Sequence, residues 1–202
     1  MATSIDTTTG LLDAVLDDLA TVVGGVEPGQ LAEPTPCTEF DVAMLLDHVI
    51  GWLTTFSAGF ADSGGQAPRA SLDGYRAPGD PAVAAAVVRQ ASADLTAAVR
   101  AGAAGRPLRL GEAAMPGELA LGMILWEYLM HGWDLARATG QPWAPPPAAV
   151  AASLEFAPAM LTEDYQGVGK PFGPAVPVLE SASPLDRLLG LSGRDPAWRP
   201  RR

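Results

Sequence analysis

The chain contains only two histidines, His48 and His131, and each lies within a stretch whose apolar spacing predicts a helix. Glu127 precedes His131 by four residues, and residues at i and i+4 lie one above the other on a helix face. Glu127 and His131 can therefore bind one ion together, and His48 from another helix can complete a triad. His48 lies on an apolar stripe, where a buried imidazole needs a polar partner or a metal.

Two imidazoles and one carboxylate would bind a divalent metal and leave at least one coordination position open. This is the ligand count of catalytic rather than structural zinc sites. Iron(II) and nickel accept the same ligands, so the ligands alone do not select the metal. Asp134 lies one turn after His131 and is predicted to hold the free ring nitrogen of that histidine. A fourth protein ligand, such as Glu155 or Asp164, would instead indicate a closed site in a non-enzymatic binding protein.

Other residues with chemical potential carry weaker signals. Cys37 precedes a predicted helix whose dipole could favour a thiolate, although we favour a simple packing role for this small side chain. Trp126 and Trp133 flank the Glu127–His131 pair, and we interpret them first as packing residues and second as pocket walls. No glycine-rich phosphate-binding pattern occurs, so nucleotide binding has no support.

The composition is typical of a folded domain, with 202 residues of which 48% are hydrophobic and 18% charged. A formal net charge of −10 disfavours nucleic acid and anionic membranes as partners. The only basic cluster lies near the end and is interpreted as a solvated tail: Arg194, Arg199, Arg201 and Arg202. One cysteine, with no secretory signal and no long apolar segment, predicts a cytoplasmic protein without a membrane partner. We expect a small-molecule substrate, and we leave a homodimer open.

Apolar residues at three- and four-residue spacing predict six helices, and no alternating pattern is strong enough to predict a sheet. The predicted helices cover about 11–23, 38–60, 81–101, 118–139, 148–161 and 184–191. Thr38 and Asp41 form a capping-box-like pair that is predicted to begin the second helix. The loop at 63–81 is expected to cross from one end of the bundle to the other.

These elements predict an all-α fold, organised as one domain over residues 1–202. We expect a four-helix bundle at about 7–161, followed by an irregular C-terminal extension at about 162–202 that ends in a short helix. Within that extension, the glycine- and proline-rich segment 162–184 is expected to lie over the bundle and cover the site.

Several segments resemble motifs of one known family. The run Thr35-Pro36-Cys37 to Val42, continued by Leu45-Leu46-Asp47-His48, resembles a "TPC…LLxH" opening. That opening belongs to the DinB-like family that includes the N-terminal domain of mycothiol-dependent maleylpyruvate isomerase. The run from Glu127 to Gly140 resembles the "ExxxHxWDLAxAxG" helix of the family. Phe172-Gly173-Pro174, Leu185 to Leu189 and Gly193 to Pro196 are similar to the endings of its small actinobacterial members.

The resemblance implies an up-down-up-down bundle with a divalent metal, often zinc, between its helices. It also implies that the metal ligands are His48, Glu127 and His131. Family members are implicated in thiol transfer with mycothiol, bacillithiol or glutathione. The isomerase carries a separate C-terminal domain, and this chain is too short to hold one.

The leading hypothesis is therefore a metal-dependent thiol S-transferase that uses mycothiol as co-substrate. One alternative is a thiol-independent, metal-assisted hydrolase, isomerase or biosynthetic tailoring enzyme. The other is a non-enzymatic protein that binds a metal or a small ligand.

Overall fold

A computed structural model of the protein describes residues 4–64, 71–110, 113–170 and 172–200. The described chain is mostly helical. Its helices are α1 (Ile5–Gly24), α2 (Val42–Ala61), α3 (Pro81–Arg100), α4 (Gly117–Thr139), α5 (Pro147–Met160) and α6 (Pro184–Leu191). Two short 3₁₀ turns, Pro28–Gln30 and Ala103–Gly105, and two strands, β1 (Leu108–Leu110) and β2 (Ala113–Met115), lie between them. The predicted all-α fold with an irregular C-terminal extension and a short final helix is confirmed.

The helix ends follow local capping chemistry. Ser4 accepts a hydrogen bond from the amide of Thr7 and starts α1 six residues earlier than the apolar spacing predicts. Asp41, rather than Thr38, caps α2 by accepting a hydrogen bond from the Met44 amide at 2.8 Å. Gly140 ends α4 with a positive φ of 73°, as the sequence predicts for a glycine at this position.

The bundle is formed by α1 to α4, in which α1 and α2 each pack against both α3 and α4. The Gln141 side chain, just after α4, donates a hydrogen bond to the carbonyl of Val22 near the end of α1, so α1 and α4 end together. The Ala77 amide, just before α3, donates to Asp47 early in α2, so α2 and α3 begin together. A Cβ atom at Gly24 would lie 3.3 Å from Ala85, so they begin at the end of the bundle where α1 ends.

The helix directions are therefore up-down-down-up and differ from the predicted up-down-up-down order. The reason is the connection between α2 and α3, which must return the chain along the whole bundle, as the predicted loop crossing requires. Residues 65–70 of this connection lie outside the described part of the chain.

A small antiparallel hairpin is present in a region for which the sequence predicts no strand. Leu108 pairs with Met115, and Leu110 pairs with Ala113. Each strand has only three residues, which is too short for the two-residue alternation of a strand to be recognised in the sequence. The hairpin packs against the end of α2, where a Cβ atom at Gly59 would lie 2.8 Å from Leu108.

The C-terminal extension packs along α4. α5 runs antiparallel to α4, since Phe156 packs over Gly122 and Trp143 over Gly132. The indole of Trp126 in α4 donates a hydrogen bond to the Ser192 hydroxyl at 3.1 Å. These contacts hold the segment after α5 against the helix that carries two of the predicted ligands.

Two helices, α2 and α3, are long and apolar enough to cross a membrane by length and composition, each with a mean hydropathy of 1.2. Core helices of soluble proteins meet the same criteria, and 50% of the α2 window and 44% of the α3 window are buried inside the bundle. This is weak evidence for a span, and the absence of a membrane partner stays a prediction.

The start of α4 gives a testable packing constraint. A Cβ atom at Gly117 would collide with the carbonyl oxygens of Ala104 and Arg106, whereas a Cβ at Gly10 in α1 meets nothing within 4 Å. We expect Gly117→Ala to lower the free energy of unfolding by about 1–3 kcal/mol, because the backbone at Ala104 and Arg106 must move to make room for the methyl group. The matched change Gly10→Ala should raise it by about 0.5–1 kcal/mol, through helix propensity. Urea denaturation measures both, and a neutral Gly117→Ala would contradict the packing.

Candidate metal centre

The three predicted ligands, His48, Glu127 and His131, lie together between α2 and α4. The Nε2 atoms of His48 and His131 lie 3.0 Å and 3.2 Å from the same Glu127 oxygen, Oε1. One ligand atom from each residue falls within 4.8 Å of the other two. The helical spacing of Glu127 and His131 and the apolar stripe that carries His48 bring these atoms to one point.

The donor chemistry fits a divalent metal. Two imidazole nitrogens and one carboxylate oxygen converge, and such sets bind zinc, iron(II) or nickel. The side chains of His48 and Glu127 remain 23% and 22% exposed, whereas that of His131 is 7% exposed. The group can therefore be reached from one side. Glu155 and Asp164, the predicted candidates for a fourth ligand, are exposed and belong to neither ligand group found among the described residues.

Burial and neighbouring charges shift the pKa values of the triad residues in opposite directions. Burial raises the pKa of Glu127, but His131 and His48 beside it hold this pKa well below its usual range. Burial lowers the pKa of His131, but the carboxylates of Glu127 and Asp134 raise it to about 9. Without a metal, these shifts favour an ionised Glu127 carboxylate beside a protonated His131 imidazole at neutral pH.

Asp134 contacts His131 as the sequence predicts. Its Oδ2 lies 3.0 Å from Nδ1 of His131, and the aspartate is completely buried. This contact leaves Nε2 of His131 directed at Glu127. Carboxylate partners of this kind orient histidine ligands and raise their basicity.

Arg194 completes this network, and the prediction of a solvated arginine tail is wrong for it. Its Nη2 lies 3.0 Å from Oδ2 of Asp134, and the residue is only 9% exposed. Burial raises the pKa of Asp134, but Arg194 and His131 hold it below its usual range. Arg194 is 60 residues from Asp134 in the chain, so no helical spacing links them. The only sequence signal was the Gly193–Pro196 motif.

The triad opens into a cavity of about 660 Å³. Residues 36–40 form one wall, Trp126 and Met130 of α4 form another, and residues 167–170, 172–174 and 192–194 cover the opposite side. The predicted cover segment thus lines the cavity. Trp126 also lines it, in addition to its packing role, whereas the buried Trp133 packs beneath Arg137.

Cys37 lies in the same cavity wall but is not an activated nucleophile. Burial raises the pKa of its thiol to about 11, and the nearby Arg194 only partly opposes this. The packing interpretation of this cysteine is therefore favoured over a thiolate. Its sulfur lies within 4.8 Å of a ligand atom of His131 and one of Asp134.

The proton on His131 predicts how metal binding depends on pH. A metal that binds Nε2 must displace the proton that the carboxylates hold up to a pH of about 9. The Kd for zinc should therefore fall about tenfold for each pH unit between about 6.5 and 8.5. Competition with a chromophoric chelator, corrected for its own protonation, measures this slope. An affinity that is constant over this range would contradict the charge arrangement.

Comparison with known sequences places this arrangement in a family. The sequence model of the "Mycothiol maleylpyruvate isomerase N-terminal domain" matches residues 12–136, more than half of the chain. The chain belongs to this family. The matched region of this mycothiol-related, DinB-like, metal-binding family contains the triad and Asp134, whereas Arg194 lies beyond it.

Two related proteins are similar in sequence to this chain over most of its length. The uncharacterized proteins MT0763 and Rv0738, from two strains of Mycobacterium tuberculosis, are each 33% identical to it over 178 residues. The alignment covers 88% of this chain and 92% of each relative. No solved structure matches the chain at a significant level. The similarity to the two relatives therefore extends well past the part that the family's sequence model matches.

Proposed function

We propose that the protein is a divalent-metal-dependent enzyme that transfers a low-molecular-weight thiol of the mycothiol type to a small electrophile. The observation that carries the proposal is the convergence of His48, Glu127 and His131 at the edge of a cavity large enough for a small molecule. Zinc is the proposed metal, with iron(II) and nickel as alternatives. The single cysteine supports a reducing, cytoplasmic location.

The chain's own residues would perform distinct tasks. His48, Glu127 and His131 would hold the ion, and Asp134 would orient His131 through Nδ1. A bound divalent ion supplies Lewis-acid chemistry, which lowers the pKa of a thiol or water that reaches it. Arg194 neutralises Asp134, so the negative charge of this carboxylate remains paired when His131 loses its proton.

The aromatic side chains in the cavity wall exclude part of the water from the site and so favour reactions in which charge develops. Phe40 packs on His48 with ring centroids 5.0 Å apart, and Phe172 packs on Trp126 at 4.9 Å. These aromatic rings lower the local dielectric constant and strengthen electrostatic interactions with a reacting group. Charged side chains of both signs, Lys170 and Glu39, also line the cavity, whereas the charge of Arg194 is paired with Asp134.

Thiol recognition is the part of the proposal that separates it from thiol-independent chemistry. The zinc-loaded protein should bind mycothiol at least about tenfold more tightly than S-methyl mycothiol, because only the free thiol can reach the metal as a thiolate. The metal-free protein should lose this preference. Isothermal titration calorimetry measures both affinities. Equal affinities in the zinc form would contradict thiol transfer and favour the thiol-independent hydrolase, isomerase or tailoring enzyme.

The open side of the triad favours an enzyme over a non-enzymatic binding protein. The two predicted fourth ligands are exposed, and the triad's partly exposed side chains face the cavity. A site with three protein ligands and an accessible position has the arrangement of catalytic zinc centres.

A further inference from the structure

A second cavity, of about 580 Å³, lies at the end of the bundle where α2 and α3 begin. It shares Phe40 and His48 with the metal-lined cavity, whereas Glu127 and His131 line only the latter. The rings of Phe40 and His48, tilted by 37° with centroids 5.0 Å apart, line both cavities and mark the boundary between them. The second cavity therefore adjoins the metal centre at His48, and the other two predicted ligands do not line it.

The lining of this second cavity is mainly apolar. Buried side chains that contribute to it are Val23, Val26, Leu46 and Ala84. Leu31 and Met44 also line the cavity, yet they remain 36% and 49% exposed. Large apolar side chains that stay exposed around a concave surface mark a binding site.

The cavity has a well-packed cover. Leu72 and Tyr75 lie over α2 at Gly51, where a Cβ atom would come within 2.8 Å of Leu72 and 3.0 Å of Tyr75. The close approach needs a glycine at this position. Ala77 is tied to α2 by the hydrogen bond from its amide to Asp47, at 2.7 Å. These contacts hold the segment that precedes α3 against α2 along one side of the cavity, which stays open at Leu31 and Met44.

The charges around the second cavity disfavour an anionic ligand. Its carboxylates are Glu27, Asp41 and Asp47, and Arg76 is its only arginine or lysine among the described residues. Arg76 lies 3.6 Å from Asp47, so its charge is already opposed. The Tyr75 hydroxyl makes no hydrogen bond within the described part of the chain and can bind a polar group of a ligand.

We propose that the second cavity binds an uncharged, mainly apolar small molecule that carries a hydrogen-bonding group. The apolar lining supplies most of the binding free energy, and the acidic surroundings exclude anions. This inference does not depend on thiol transfer, because it rests only on the cavity and its charges.

Two fluorescent probes with nearly the same apolar skeleton test the proposal. N-phenyl-1-naphthylamine is uncharged, and 8-anilino-1-naphthalenesulfonate carries a sulfonate. We expect the uncharged probe to bind at least about tenfold more tightly than the anionic probe. Ala43→Trp fills the cavity and should raise the Kd of the uncharged probe at least about tenfold. Met44→Trp at the exposed mouth is a second variant that does not alter buried packing.

The control variants separate this cavity from other surfaces. Ala93→Trp, on the exposed face of α3, and Thr38→Trp, which lines only the metal-side cavity, should leave the probe Kd within about twofold. Loss of binding in Thr38→Trp, unchanged binding in both Ala43→Trp and Met44→Trp, or equal affinity of the two probes would overturn the proposal. Probe affinity that weakens as protein concentration rises would show that a second copy fills the cavity, and would also overturn it.

Discussion

Replacing His131 with alanine should abolish stoichiometric zinc binding and, with it, any metal-dependent activity. The variant removes one of three ligands and leaves Glu127 with a single imidazole partner, His48. We expect the Kd for zinc to rise at least about a thousandfold, which corresponds to about 4 kcal/mol of binding free energy. Elemental analysis of purified protein and chelator competition measure the stoichiometry and the affinity.

A loss of zinc must be distinguished from a loss of folding, because His131 is buried. His48→Ala removes a ligand from the other helix at a more exposed position and should cause the same loss of zinc. Glu155→Ala removes an exposed carboxylate of α5 and should bind zinc as the parent protein does. One zinc per chain in folded His131→Ala would exclude the triad as the metal site.

Replacing Arg194 with methionine should cause a large loss of stability. Asp134 is completely buried, and Arg194 lies 3.0 Å from it, so the variant leaves a buried carboxylate with only His131 as a charged partner. Removing one member of a buried ion pair typically costs about 3–5 kcal/mol. For a chain of this length each kcal/mol lowers the melting temperature by about 2–4 °C.

The matched control is an exposed ion pair of similar length. Arg100 lies 3.1 Å from Asp13, with side chains 57% and 46% exposed, so Arg100→Met should cost less than about 1 kcal/mol. Urea denaturation of the metal-free proteins compares the two. Arg194→Met should also weaken zinc binding by about 10- to 100-fold, because Asp134 orients His131. Equal costs for the two variants would mean that the Arg194–Asp134 pair does not stabilise the site.

Helix positions could be predicted because their signals are local. Apolar spacing, helix caps and the terminal glycine of α4 act within a few residues, and all six predicted helices are present. The errors concern ends and directions. The apolar spacing does not predict the first residues of α1, because Ser4 and the threonines after it do not continue the apolar stripe. The two three-residue strands cannot be predicted from the sequence, because they are shorter than the alternating pattern that identifies a strand.

The triad could also be named from sequence, since two rare histidines and a carboxylate at helical spacing are local features. The role of Arg194 could not be predicted. Its charge suggested a solvated tail, and only the return of the C-terminal segment along α4 takes it out of water. A buried arginine is stable only when a paired carboxylate is available, and the sequence does not show which carboxylate that is.

The sequence by itself therefore determined the helices, the identity of the three candidate ligands and the partner of His131, because each depends on contacts within one helix or on a recognisable motif. Only the tertiary structure decided the up-down-down-up order, the Asp134–Arg194 pair and the two cavities that meet at Phe40 and His48. These features arise from residues far apart in the chain. Their contacts depend on how loops cross the bundle, and that path leaves no periodic signal in the sequence.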